Sequence, residues 1–390
     1  MKLDKKPVLP QGYQCLSINC GLKPNKEERD FAVFISEQPA SAAGVFTRNQ
    51  FPGAPVIVGR QILKKQKLSA IAINSKISNV GTGDEGINNV NRMAHAVAKE
   101  FTLPEDQVLI SSTGVIAQQL PIELIEKGIP GISAHLQNDP IEAVRGIMTT
   151  DSYPKALSAS IGGATLTICA KGSGMIEPNM ATMLVYIFTD AEIEADKLDA
   201  MLRKAVDVSF NMLSVDADTS TSDTCIAMAN GLAGKVNEEE FYQVLESMSI
   251  EMSKKLASDG EGATKLLVAN VIDALNDKEA REIAKSLINS PLIKTMAFGA
   301  DPNIGRVLMA VGKCFECTID TSKISIDING RTVYAKQERT DFVEADVRAL
   351  LSGDYVEITV NLGVGQASRT AYGCDLTNGY VEENAAYYSS

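Results

Sequence analysis

Fourteen consecutive residues constrain this chain more than any others: Lys171-Gly172-Ser173-Gly174-Met175-Ile176-Glu177-Pro178-Asn179-Met180-Ala181-Thr182-Met183-Leu184. Two glycines and a proline make the stretch a loop, since glycine reaches backbone angles closed to other residues and proline cannot continue a ladder. The apolar run Leu184-Val185-Tyr186-Ile187-Phe188 directly after it reads as a buried strand. Ala164 to Cys169, ahead of the loop, reads as another. Thr182 therefore stands at a strand entrance, where a side chain is held rigidly.

A threonine hydroxyl is a weak nucleophile without a base beside it. A threonine at a chain terminus carries its own base, the α-amine. That amine has a reference pKa of roughly 8, so a useful fraction is neutral near pH 7. Within an intact chain the hydroxyl can attack the carbonyl of Ala181. The acyl group then shifts from nitrogen to oxygen, and water resolves the ester. A bare Ala-Thr pair would read as an ordinary strand entry. The whole segment, however, resembles the self-cleavage and active-site motif of the ornithine acetyltransferases, the bifunctional glutamate N-acetyltransferases.

The resemblance runs from Ala43-Gly44-Val45-Phe46-Thr47 to the last residues. It implies an α/β (α+β) layered fold around paired sheets. It implies a precursor cut between Ala181 and Thr182 into an α chain, 1–181, and a β chain, 182–390. These would remain folded together as a heterotetramer of two α and two β chains. The implied reaction, in cytoplasmic arginine biosynthesis, moves acetyl from N2-acetylornithine to glutamate by a ping-pong acyl-threonine route. No cofactor is implied, with acetyl-CoA an alternative donor in bifunctional members.

Composition is compatible with this. The 390 residues suit one large or two moderate domains. Apolar content of 45% and charged content of 22% describe an ordinary soluble protein. A net charge of −12 with no basic block argues against nucleic acid or an anionic membrane as partner. No apolar run is long enough to span a bilayer. The only histidines are His95 and His135, which favours chemistry without imidazole and leaves no His-rich metal site. Seven cysteines, with no apolar leader behind Met1-Lys2-Leu3-Asp4-Lys5-Lys6, suggest free thiols in a reducing cytosol. Cys314-Phe315-Glu316-Cys317 is a lone CxxC, weak as a metal signature, and its apolar flanks suggest core cysteines.

Along the chain, Val56–Val58, Ala70–Ile73 and Tyr355–Leu362 read as strands, and Ile87–Phe101, Glu194–Leu213 and Ala280–Ile288 as helices. A stronger helix starts after Asn237, a good N-cap. It aligns Phe241, Val244, Leu245, Met248, Met252 and Leu256 on one face and stops near Gly260. Ile324 to Tyr334 carries an Asn-Gly hairpin turn.

Further pieces of a site follow from the resemblance. Thr113 and Gly114, in Ser111-Ser112-Thr113-Gly114, match the pair that stabilises the oxyanion; a hydroxyl and a backbone N–H supply two donors. Lys171 matches a substrate-binding lysine. Thr149 matches a substrate-contacting threonine, with Thr150 adjacent and not separable from it. Glu261, in Asp259-Gly260-Glu261-Gly262, matches a glutamate suited to an ammonium of ornithine. Asn384 and Ser389 match the terminal Asn and Ser/Thr near substrate. Ser214–Thr224 is acidic but lacks the pattern of a calcium loop, so it reads as hydrogen-bonded structure near the site.

Two positions depart from the family pattern. Lys76 stands where Asn-Ser-Gly-x-Ala-Asn has glycine, and Ile304 where tryptophan is common. Tyr372-Gly373-Cys374-Asp375-Leu376-Thr377 is closer to members of secondary-metabolite pathways. Two rival readings are a same-nucleophile amidohydrolase or aminopeptidase, which would release free acetate without an acceptor amine, and an uncleaved paralogue that binds an amino-acid metabolite and stays one chain.

Overall fold

The computed structural model describes residues 3–177 and 183–386. The chain is mixed α/β and forms two compact units. The first comprises residues 1–172, 178–211 and 219–252; the second comprises 173–177, 212–218 and 253–390.

The first unit is built on a sheet of eight strands. They are β1 (Tyr13–Ile18), β2 (Phe31–Phe46), β3 (Lys67–Asn74), β4 (Val108–Ser112), β5 (Lys155–Ile161), β6 (Ala164–Lys171), β7 (Leu184–Ala191) and β8 (Thr224–Gly234). Their order is β4-β3-β2-β8-β7-β6-β5, with β1 paired to β2. Both faces are covered, which is why these strands read as apolar runs rather than alternating ones. Ala32, Phe34, Ile71, Ile73 and Leu109 point to one face, where they meet Ala143, Val144 and Ile147 of the helix Pro140–Ile147. Phe31, Val33, Ala70, Ala72, Val108 and Ile110 point to the other, against Val90, Met93 and Val97 of the helix Gly83–Phe101. The sheet is thus the middle of three layers.

Position 182 falls between β6 and β7, which are antiparallel neighbours. The register pairs Lys171 with Leu184. Residues before and after the proposed cut also meet where β2 pairs with β8. A break at 181/182 leaves both ladders intact.

The second unit holds a sheet of six strands: β9 (Leu266–Ala274), β10 (Ser325–Ile328), β11 (Arg331–Ala335), β12 (Glu338–Arg339), β13 (Tyr355–Asn361) and β14 (Ala367–Cys374). Their order is β12-β11-β10-β13-β9-β14, and only β13 and β9 run parallel. Asn329 and Gly330 both take positive φ, +44° and +78°, the conformation that a two-residue hairpin turn demands. The helix Asp277–Ile288 lies on β9 and β14, and Asn276 caps it by accepting from the Glu279 amide.

Several expectations need correction. Val56–Val58 belongs to the helix Ala54–Ile62, not to a strand. Its short apolar run carries Pro55 in the first turn, where a missing N–H costs nothing, and buries Val56 and Gly59 on one side. The helix from Glu194 is shorter than expected: Ala195–Val208 is α-helical, and Phe210–Met212 is a separate turn of 3-10 helix. The CxxC is a core element only at Cys314. Cys314 is buried and Cys317 half-buried, but Phe315 between them is 88% exposed.

Candidate active site

The first unit gathers Thr113, Thr149 and Lys171 around one ammonium. Thr113 leaves the end of β4, where its amide donates to the Asn74 carbonyl at 3.0 Å. Asn74 in turn accepts from Ser112 Oγ and donates to the carbonyls of Ser75 and Ile77, so the turn after β3 and the turn after β4 form one hydrogen-bonded block. Gly114 has φ +127° and lies against the Lys76 backbone; a Cβ there would fall 2.2 Å from the Lys76 carbonyl. Lys76 keeps a left-handed φ of +76°, a conformation glycine adopts more cheaply. The local backbone thus takes a conformation that suits glycine although the side chain is lysine. The Val115 amide donates to Lys76 O, whereas the Gly114 N–H has no partner among the described residues.

Lys171 ends β6 and is 8% exposed. Its Nζ donates to Thr149 Oγ1 at 2.8 Å and to Thr113 Oγ1 at 3.2 Å. The lysine therefore holds the hydroxyl proposed for the oxyanion and one of the two candidate substrate threonines. A buried ammonium flanked by hydroxyls suits a carboxylate or a developing oxyanion.

Beneath this group lies Asp151, a residue not singled out from the sequence. Its carboxylate accepts from Lys155 Nζ at 2.7 Å, from the Gly172 amide at 2.7 Å and from the Thr149 amide at 3.2 Å. One side chain thereby fixes both the threonine and the residue after the lysine. Burial opposes the charge on Asp151. Lys171 and Lys155, with the hydrogen bonds from Gly172 and Lys155, outweigh it and hold the carboxyl below the usual range. The i,i+4 spacing of Asp151 and Lys155 was the available signal, but i,i+4 pairs are normally surface features, whereas this one has 0% side-chain exposure on both partners.

The second unit holds Ser173–Glu177 and Glu261 together. Ser173 Oγ donates to Asp259 O, and the Glu261 amide donates to Ser173 O at 3.0 Å. Gly174 lies directly on the Glu261 carboxylate. Asp216 accepts from the amides of Met175 and Ile176 at 2.6 and 2.8 Å, and Asp218 O accepts from the Glu177 amide. The acidic segment Ser214–Thr224 thus includes a backbone clamp on the loop. Burial raises the Asp216 carboxyl, against the amides that stabilise its charge.

Glu177 is tied by Asn289 Nδ2 at 2.6 Å and Lys285 Nζ at 3.5 Å. Burial lowers Lys285 to about 8 despite Glu177 beside it. The helix Asn378–Ala386 is docked in this unit: its Asn384 donates to Glu261 Oε2 at 2.8 Å. Gly262, at φ +65°, lies against the Gly379–Tyr380 backbone, and Thr377 Oγ1 donates to its carbonyl. Burial, with Asp216 and Glu261 nearby, pushes the Tyr380 phenol up to about 12.

Ala181, Thr182 and Ser389 lie outside the described residues. The described residues bring Lys171, Thr149 and Thr113 together in one unit, and Glu261 with Asn384 in the other.

Comparison with known proteins adds descent to this geometry. The ArgJ family model matches residues 14–389. The arginine biosynthesis bifunctional protein ArgJ 2 of Clostridium acetobutylicum is 45% identical, covering 97% of this chain and 98% of that one. Glutamate N-acetyltransferase Oat2 of Streptomyces clavuligerus is 40% identical, covering 98% and 99%. Among solved structures, an arginine biosynthesis bifunctional protein ArgJ from Bacillus halodurans is 38% identical with a TM-score of 0.50. It covers 52% of this chain and 98% of its own. Among the described residues no helix is long and apolar enough to cross a membrane.

Proposed function

We infer function from descent: this chain belongs to the ArgJ family. It is an acyltransferase of arginine biosynthesis, a glutamate N-acetyltransferase that takes acetyl from N2-acetylornithine. The amidohydrolase and the non-catalytic paralogue have no observation in their favour.

We propose that the chemistry runs through Thr182. Its hydroxyl first attacks the Ala181 carbonyl, the peptide C–N bond breaks as the acyl group moves to oxygen, and water hydrolyses the ester. The length of the solved Bacillus halodurans chain, about half of this one, supports a divided precursor. So do the β6–β7 and β2–β8 ladders, which would keep the two pieces together. In the transfer itself, the Thr182 amine takes the hydroxyl proton. Oγ bonds to the acetyl carbon, the bond to the α-nitrogen of ornithine breaks, and that nitrogen receives the proton. Glutamate then reverses the sequence with its own amine. Thr113 Oγ1 and the Gly114 N–H serve the oxyanion. Lys171 and Thr149 hold a substrate carboxylate, and Glu261, Asn384 and Ser389 hold an amino-acid end.

The observation that carries this reading is the buried Lys171 ammonium, with hydroxyls of Thr113 and Thr149 on it, at the head of the segment that ends in Thr182. The route needs no cofactor, although acetyl-CoA can load the same ester. We assign a heterotetramer of two α and two β chains and the cytosol, where seven free thiols persist. Initial rates with N2-acetylornithine and glutamate varied together test the route. Parallel double-reciprocal lines support an acyl-enzyme; intersecting lines would mean direct transfer and overturn it.

A further inference from the structure

One group of three potential metal ligands occurs among the described residues: Glu282, Cys314 and Cys317. It lies wholly in the second unit and takes no part in the chemistry above. The CxxC is a turn that follows the helix Gly305–Gly312. The Cys317 amide donates to Cys314 O at 3.0 Å, which folds the two thiols back toward each other. Glu282 comes from the helix Asp277–Ile288.

That helix presents Glu279, Glu282 and Ser286 at i, i+3 and i+7, one stripe of one face. The outer two are already used to fasten the turn. Ser286 Oγ donates to Ala310 O at 2.7 Å, one turn before the cysteines, and Glu279 Oε2 accepts from the Thr318 amide at 2.7 Å, one residue after them. Both ends of the turn are therefore pinned to the helix, and the middle residue of the stripe meets the two sulfurs. The ligand atoms of all three lie within 4.8 Å of one another. Donors around a tetrahedral zinc ion stand roughly 3.5–4 Å apart, given metal–sulfur and metal–oxygen bonds of about 2.3 and 2.1 Å. Small side-chain rotations close that gap.

We propose that Glu282, Cys314 and Cys317 bind a thiophilic divalent cation of the zinc class. Two thiolates and a carboxylate bring three negative charges to it, and binding releases the two thiol protons. Three protein ligands leave the fourth tetrahedral position to water, so the ion exchanges more readily than one in a closed four-ligand site. The Ser286 and Glu279 bonds are outer-shell supports of the kind that orient metal ligands.

The test uses the full chain without a histidine tag, reduced and stripped with a chelator, then titrated with Co2+ and afterwards with Zn2+. One equivalent of Co2+ should give thiolate-to-cobalt charge-transfer absorption that Zn2+ displaces. C314S and C317S should abolish it. Glu282→Gln should keep the thiolate band but weaken affinity by more than the roughly 10–100-fold that loss of an outer-shell partner costs. No band at one equivalent, a band that survives both serine variants, or unchanged affinity in Glu282→Gln would each overturn the assignment. The wild-type and Glu282→Gln arms decide it even if a serine variant fails to fold.

Discussion

A Cβ placed on Gly174 would lie 2.3 Å from the carboxylate of Glu261. The glycine is thus required by the glutamate, and the two residues, 87 positions apart, act as one feature. Gly174→Ala must push the carboxylate aside, because the loop backbone is held by Asp216 and by the Ser173–Glu261 bond. A displacement of about 1 Å at a positioned group costs on the order of 100-fold in rate. We expect kcat/KM for acetyl transfer to fall by about that factor while the melting temperature changes little. Glu261→Gln in the same assay should show a comparable loss. Full activity in Gly174→Ala would mean that Glu261 is not needed where it stands.

Asp151 gives a prediction about pH. Its folded carboxyl is held below the usual range, whereas the unfolded value is about 3.9. The stabilisation it provides is therefore complete above the unfolded value and is lost as pH falls through the folded one. The wild type should lose stability progressively below about pH 4, and Asp151→Asn should lack that component. At neutral pH the variant removes the carboxylate charge from the buried Asp151–Lys155 pair, which costs about 3–5 kcal/mol. Urea midpoints measured from pH 2.5 to 7 check both statements. Parallel curves for the two proteins would remove Asp151 from the account.

The legible parts of this chain were those in which local pattern and fold agree. β7 announced itself by an unbroken apolar run, the helix after Asn237 by its periodicity, and the hairpin by Asn329-Gly330. Val56–Val58 failed because three apolar residues fit either period, and Pro55 was the better clue. Lys171, Thr113 and Thr149 were named only through family resemblance. No spacing rule brings residues 58 and 22 positions apart onto one ammonium. Asp151 and Asp216 were missed as organisers for a related reason. The partners that tie each of them to the loop, Gly172 for Asp151 and Met175 and Ile176 for Asp216, are backbone amides, which leave no trace in residue type.

Asp216 should govern maturation rather than binding. It accepts two amides of the loop that leads toward Thr182, and Met175 there holds a left-handed φ of +53°. Self-cleavage needs a fixed carbonyl geometry, so a loosened loop slows it. Asp216→Ala removes both acceptors, and we expect uncut precursor to persist well beyond the time at which the wild type is processed. Asp216→Asn retains one acceptor oxygen and should fall between the two. Denaturing gels over a time course from a freshly translated protein measure this directly. Equal processing in all three would show that the loop does not depend on the clamp.

The decisive measurement concerns Thr182 itself. Under denaturing conditions the wild type should give two masses that sum to the 41.8 kDa chain plus one water. The heavier fragment should begin with threonine, because 182–390 holds 209 residues (390 − 181) and 1–181 holds the remainder. Thr182→Ala should stay one chain and transfer no acetyl. Thr182→Ser keeps a hydroxyl and an α-amine, so it should cut slowly and retain part of the activity. Under native conditions the two wild-type pieces should co-elute, since the β6–β7 and β2–β8 ladders bind each to the other. An uncut wild type with full transferase activity would place the acyl group on some other residue, and the roles given to Thr113, Gly114 and Lys171 would have to be reassigned with it.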